Sequence, residues 1–167
     1  MAMDAIVRRG HPVVFGLLVL FAIIELCITA FVTAKYNSHH NYPNRSTRDR
    51  VRYLLFLSVW TTVFGAAFLG MFLVFMDNIL VSVASHFVFL IITWILWLAA
   101  AAAFTSSIGG ALNCHTQSFF VYCGQLNAIE GFAWLIWVVI TLLLVFVLIR
   151  GIISQKRGDG VRGGLVA

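Results

Sequence analysis

Few side chains in this chain can do chemistry, and their positions restrict what that chemistry is. Glu25, His86 and Glu130 are ionisable residues inside or beside long apolar runs. A carboxylate at the centre of such a run costs about 2.5–3.5 kcal/mol if the run crosses a bilayer. Two chemistries fit Glu25: a hydrogen bond that pins helices together, or a site for a proton or ion. Counting along the other runs places Thr61, Thr62 and Trp94 at a similar depth, and their hydroxyls and indole N–H are candidate partners for Glu25. His86 stands alone, and metal ligands come in clusters of three or four. His39 and His40 are adjacent but have no Cys or carboxylate beside them. The sequence therefore predicts no metal and no cofactor. It shows no Ser-His-Asp set, no phosphate-cradling glycine loop and no paired carboxylates, so an enzyme is not expected.

Cysteine offers one further piece of chemistry. Cys27 lies inside an apolar run and reads as a small apolar residue. Cys114 and Cys123 lie nine positions apart in one short polar segment. That placement suits a disulfide in an oxidising compartment, and two free thiols are the alternative.

The elements that must position these residues follow from composition. Of 167 residues, 62% are hydrophobic and 10% charged, and mean hydropathy is +1.00. Soluble domains run about 45–50% apolar and about 25% charged. This chain has too little polar surface to cover a globule in water. A nucleic-acid binder is excluded as well: the net charge is +5, but the basic residues lie between apolar runs and form no stripe.

Four continuous apolar runs, about 12–34, 53–76, 79–104 and 128–149, are each long enough to cross a bilayer as a helix. Outer-membrane strands would alternate over about ten residues, so helices are expected. The fold class is all-α: one four-helix membrane bundle over 1–167, with loops at 35–52 and 105–127, a turn at Asp77-Asn78 and a basic tail at 150–167. Arg8, Arg9 and Val32-Thr33-Ala34 imitate a signal peptide, but the run is too long and carries Glu25, so a retained helix is expected.

Lys and Arg do not fix the orientation. Arg8, Arg9, Arg150, Lys156, Arg157 and Arg162 on the terminal side face Lys35, Arg45, Arg48, Arg50 and Arg52 on the other. A Cys114–Cys123 disulfide places the third loop outside and both termini in the cytosol. The sequon Asn44-Arg45-Ser46 falls on the same outer side and is a glycosylation candidate. Arg50, Arg52 and Tyr53 are candidates for lipid headgroup contact, and Arg50, Tyr53 and Leu55 fit a loose sterol-contact pattern.

Packing candidates are also visible. Ser58, Thr62, Gly65, Ala66 and Gly70 mark small faces in the second run, and five alanines mark the third. These faces serve either the bundle or a homo-oligomer. Ser82, His86, Thr93 and Ala100 share a helical face expected to point inward. Glu130, Trp134, Trp137 and Thr141 form a stripe at four-three-four spacing. Packing is its first reading, and a lipid groove at Trp134 and Trp137 is its second.

Three stretches carry a resemblance. They are Arg52-Tyr53-Leu54-Leu55-Phe56-Leu57-Ser58-Val59-Trp60-Thr61, then Trp94-Ile95-Leu96-Trp97 with the alanines behind it, then Asn113-Cys114 and the stretch from Tyr122-Cys123-Gly124-Gln125 to Trp134. Together the chain resembles the fungal MARVEL-domain proteins, similar in layout to the MAL, physin and occludin tetraspans. The resemblance implies four helices, cytosolic termini and paired loop cysteines, here Cys114 and Cys123. Glu130 and Trp134 match the start of the fourth helix. It further implies a non-enzymatic role: organising plasma-membrane microdomains, sensing sterol or sphingolipid and self-associating, with eisosome-associated relatives. The claudin pattern is absent, since 35–52 holds neither Trp nor Cys. The expected partners are sterol, sphingolipid, anionic headgroups and further copies of the chain. A small oligomeric channel or transporter subunit built on Glu25 is the alternative.

Overall fold

A computed structural model describes the backbone of residues 2–74 and 83–157, and the side chains of 13–71, 86–149 and 151–152. Four helices account for most of it: α1 (Ala2–His39), α2 (Arg45–Val74), α3 (Val83–Ile108) and α4 (Cys123–Arg157). Each contains a span long and apolar enough to cross a membrane, at Val13–His39, Arg45–Met71, His86–Ile108 and Cys123–Ile149.

The helices outrun the apolar stretches expected from sequence. α1 continues to His39, α2 starts at Arg45 and not near 53, and α4 starts at Cys123 and continues to Arg157. Hydropathy marks where a chain crosses lipid, whereas a helix ends where its backbone bonding is interrupted. The expected loop at 35–52 is therefore a short turn, and its cations ride on helix ends. The turn at Asp77-Asn78, Ser82, and the tail beyond Arg157 lie outside the described residues.

The α1–α2 turn has clear local causes. His40 adopts φ 51°, the left-handed conformation that ends a helix, and its N–H donates to the Tyr36 carbonyl. Pro43 then precedes Asn44, whose Oδ1 accepts the Thr47 N–H at 2.7 Å. Asn44 is thus the N-cap of α2. Gly109 and Gly110, both at positive φ, close α3 with their N–H groups on the Thr105 carbonyl.

α1 packs against α2 and α4, and α3 packs against the same two, so the helices form a square. Each buries one stripe. On α1 it is Phe15, Leu18, Ala22, Glu25, Thr29, Val32 and Tyr36; on α4 it is Leu126, Ile129, Ala133, Ile136, Ile140, Leu143 and Val147. The three-four spacing averages 3.5 residues and keeps one seam facing inward along the length of a bundle. Apolar residues such as Leu20, Phe56, Ile95 and Leu142 lie on the outside, where lipid covers them.

Candidate functional site

The polar residues of the spans are buried, but they do not meet as sequence spacing suggests. Asn37 accepts from Arg52 at 2.6 Å near one end of the α1–α2 seam. Near the other end, a Cβ added to Gly65 would come within 3.0 Å of Val19. Interpolation between these contacts sets Glu25 level with Thr61. Glu25 is fully buried, and neither of its carboxyl oxygens has a hydrogen-bond partner.

None of the three expected partners bonds to the Glu25 carboxyl, contrary to the sequence expectation. Thr61 Oγ1 accepts from Trp97 Nε1 at 2.9 Å. Trp94 Nε1 donates to Thr141 Oγ1 at 2.8 Å. Thr62 Oγ1 is buried and has no partner. Thr29 and Ser58 donate to the carbonyls of Glu25 and Leu54, four residues back. Hydroxyls inside helices bond readily to that carbonyl, which removes them as partners for a carboxyl on the next helix.

Tryptophan and threonine supply the interhelical polar contacts. Trp60 donates to Thr93 at 3.4 Å, and Trp134 donates to Thr105 at 3.0 Å, beside the Trp97 and Trp94 bonds above. Two of these bonds join α2 to α3 and two join α3 to α4. The stripe of α4 lies in the second seam: Trp137 packs on Trp94 and Trp134 at 5.6 and 5.7 Å, and its Nε1 is buried without a partner. Trp134, Trp137 and Glu130 are half-buried. His86 is buried against the rings of Phe15 and Phe68, and Thr93 and Ala100 on the same face are buried too.

Small residues divide between two faces. Ser58 and Gly65 are buried, whereas Ala66 and Gly70 are exposed. On α3, Ala100 and Ala101 point inward, and Ala99 and Ala102 outward.

The end of the bundle that carries the α1–α2 turn and the α3–α4 loop is tied by polar contacts. Arg48 pairs with Asp49 at 3.0 Å and lies over the Tyr42 ring at 4.8 Å. Lys35 lies over Phe31, and Tyr53 stacks on Phe56. Arg52 and Tyr53 are exposed and Arg50 is half-buried. Asn41 Nδ2 donates to the Tyr122 hydroxyl at 3.1 Å, and Tyr36 packs on both Tyr42 and Tyr122. Cys114 and Cys123 are disulfide-bonded, and Cys27 is an exposed free thiol on α1.

Over residues 7–146 the chain matches the family described as MARVEL, a membrane-associating domain. The chain belongs to the MARVEL family. No curated protein and no solved structure matches it. The MARVEL match covers the first three spans and the fourth up to residue 146, and it joins the four apolar helices in assigning an integral membrane protein.

Within this MARVEL domain, the two cysteines picked out by sequence are joined at the mouth of α4. Asn127, which sequence reasoning passed over, holds the same loop: its Oδ1 accepts the Leu112 N–H and its Nδ2 donates to the Leu112 carbonyl, both at 2.8 Å. The Tyr36–Tyr42–Tyr122 cluster was also missed, because Tyr122 lies 86 positions from Tyr36 and the three share no local pattern. Among the described residues, no group of three His, Cys, Asp or Glu side chains is placed to hold a metal ion.

Proposed function

We propose that this MARVEL protein is a non-enzymatic organiser of plasma-membrane microdomains, acting through self-association and through binding of sterol or sphingolipid. The observation that carries the reading is two outward patches of small residues: Ala66 and Gly70 on α2 and, nearer the disulfide end, Ala99 and Ala102 on α3. Small faces allow close approach of a second helix or a rigid, flat lipid, in a solvent where no hydrophobic force drives association. On this reading both termini are cytosolic, the disulfide loop is external, and Arg50, Arg52 and Tyr53 stand at headgroup depth. The half-buried Trp134 and Trp137 would take the lipid ring. A fungal plasma membrane, where the eisosome-associated relatives reside, is the setting that the sequence resemblance favours.

Native mass spectrometry of protein extracted with its surrounding bilayer tests this. A defined homo-oligomer retaining sterol or sphingolipid is the expected result. A bare monomer without lipid overturns it.

A specific observation favours a second reading. The fully buried Glu25 carboxyl has no partner, and an ionisable residue inside a span is a candidate proton or ion site in an oligomeric channel or transporter. Proton or ion flux in liposomes that disappears in Glu25→Gln would establish it in place of the first.

A further inference from the structure

The α3–α4 loop pairs several of its polar groups internally and leaves two bulky apolar side chains exposed, next to the exposed polar residues Asn113, His115, Thr116 and Ser118. Asn127 brackets Leu112 with two bonds. Gln117 does the same to Phe120, accepting its N–H at 2.8 Å and donating to its carbonyl at 3.4 Å. The disulfide closes the loop at Cys123. Phe119 and Val121 are left 63% and 56% exposed. From 105 to 129 the sequence holds no Lys, Arg, Asp or Glu, while the neighbouring helix ends carry five cations. A loop meant for water would ordinarily show the reverse.

What covers these side chains follows from their position. Val121 lies two residues before the span that starts at Cys123, so Phe119 is at most about 14 Å from the span boundary. Tyr122 packs edge-on against Phe31, itself 45% exposed on the lipid side of α1. The lipid-facing surface of the bundle is thus continuous with the loop tip. Internal pairing of loop backbone by amide side chains suits a region poor in water.

We propose that Phe119 and Val121 form an interfacial anchor, held by the Cys114–Cys123 disulfide, that enters the headgroup–acyl boundary of the leaflet at its own end of the bundle. Aromatic side chains favour that depth. The anchor fixes how deep this end of the bundle sits, and its bonding to α4 makes that depth dependent on the disulfide.

The test uses the unmodified protein in phosphatidylcholine nanodiscs doped with a lipid carrying a diazirine at the top of its acyl chain. After irradiation and peptic digestion, adducts are mapped by mass spectrometry. Labelling of 118–121 should match that of the peptide bearing Phe31 and exceed severalfold that of 113–116 in the same loop. Adducts confined to the spans overturn the proposal. In a variant with Cys114→Ser and Cys123→Ser, loop labelling should fall severalfold while span labelling persists; loop labelling unchanged there overturns the role given to the disulfide. Cross-linking between copies through azidophenylalanine at position 119, without lipid adducts, would assign the tip to protein contact and likewise overturn the anchor.

Discussion

Trp97 donates its indole N–H to Thr61 across 2.9 Å, at the level of the membrane where Glu25 is buried. The threonine that sequence depth offers to the carboxyl is thereby committed to α3. The α2–α3 seam is bonded at this level, and the carboxyl of α1 remains unpaired.

The Trp97–Thr61 bond should be measurable as a coupling. Trp97→Phe and Thr61→Val are each expected to destabilise the bundle, and the double-mutant cycle should return about 0.6–1.7 kcal/mol, the range for interhelical hydrogen bonds in lipid. Reversible unfolding in bicelles is the measurement. Additive single effects would show that the bond contributes nothing.

Glu25→Leu is expected to leave stability unchanged or to raise it. A buried polar group without a partner costs free energy, and an apolar side chain of similar size removes that cost. Glu25→Gln keeps the polarity and should give no such gain. A loss of about 2 kcal/mol in the leucine variant would instead reveal a bonded pin.

Gly65 and Ala66 are neighbours with opposite expected behaviour. A Cβ at Gly65 meets Val19 at 3.0 Å, so Gly65→Leu should cost about 1–3 kcal/mol through overpacking of the α1–α2 seam. Ala66 faces outward, so Ala66→Leu should leave the fold intact and weaken self-association. Unfolding and analytical ultracentrifugation in the same detergent separate the two effects.

Asn44→Ala should cost about 1 kcal/mol by removing the cap of α2, and Asn44→Asp should restore it. Both substitutions destroy the sequon equally. If alanine and aspartate variants lose stability alike, the role of Asn44 lies in glycosylation and not in capping.

The four spans were legible in sequence because lipid imposes a length and a composition on whatever crosses it. Helix ends were not, since Lys35, Arg48 and Arg52 are good helix formers that hydropathy assigns to loops. Cys114 and Cys123 were found by spacing because they close a local loop. Depth was readable to the extent that interpolation along the α1–α2 seam sets Thr61 level with Glu25. It could not say which of several hydroxyls and indoles bond to one another, because rotamer and helix rotation decide that. Asn44 shows a different failure: one residue fits two patterns, and the cap, not weighed from sequence, is the role its geometry fills.

The five-residue turn at 40–44 leaves α1 and α2 almost no freedom to separate once made, and the disulfide loop constrains α3 and α4 in a similar way. During synthesis, the insertion machinery would then handle this chain as two prefolded hairpins rather than four independent segments. Joining them creates the α2–α3 and α4–α1 seams last, so a lesion at Trp97 or Thr61 would weaken the pairing of the two halves and leave their insertion untouched.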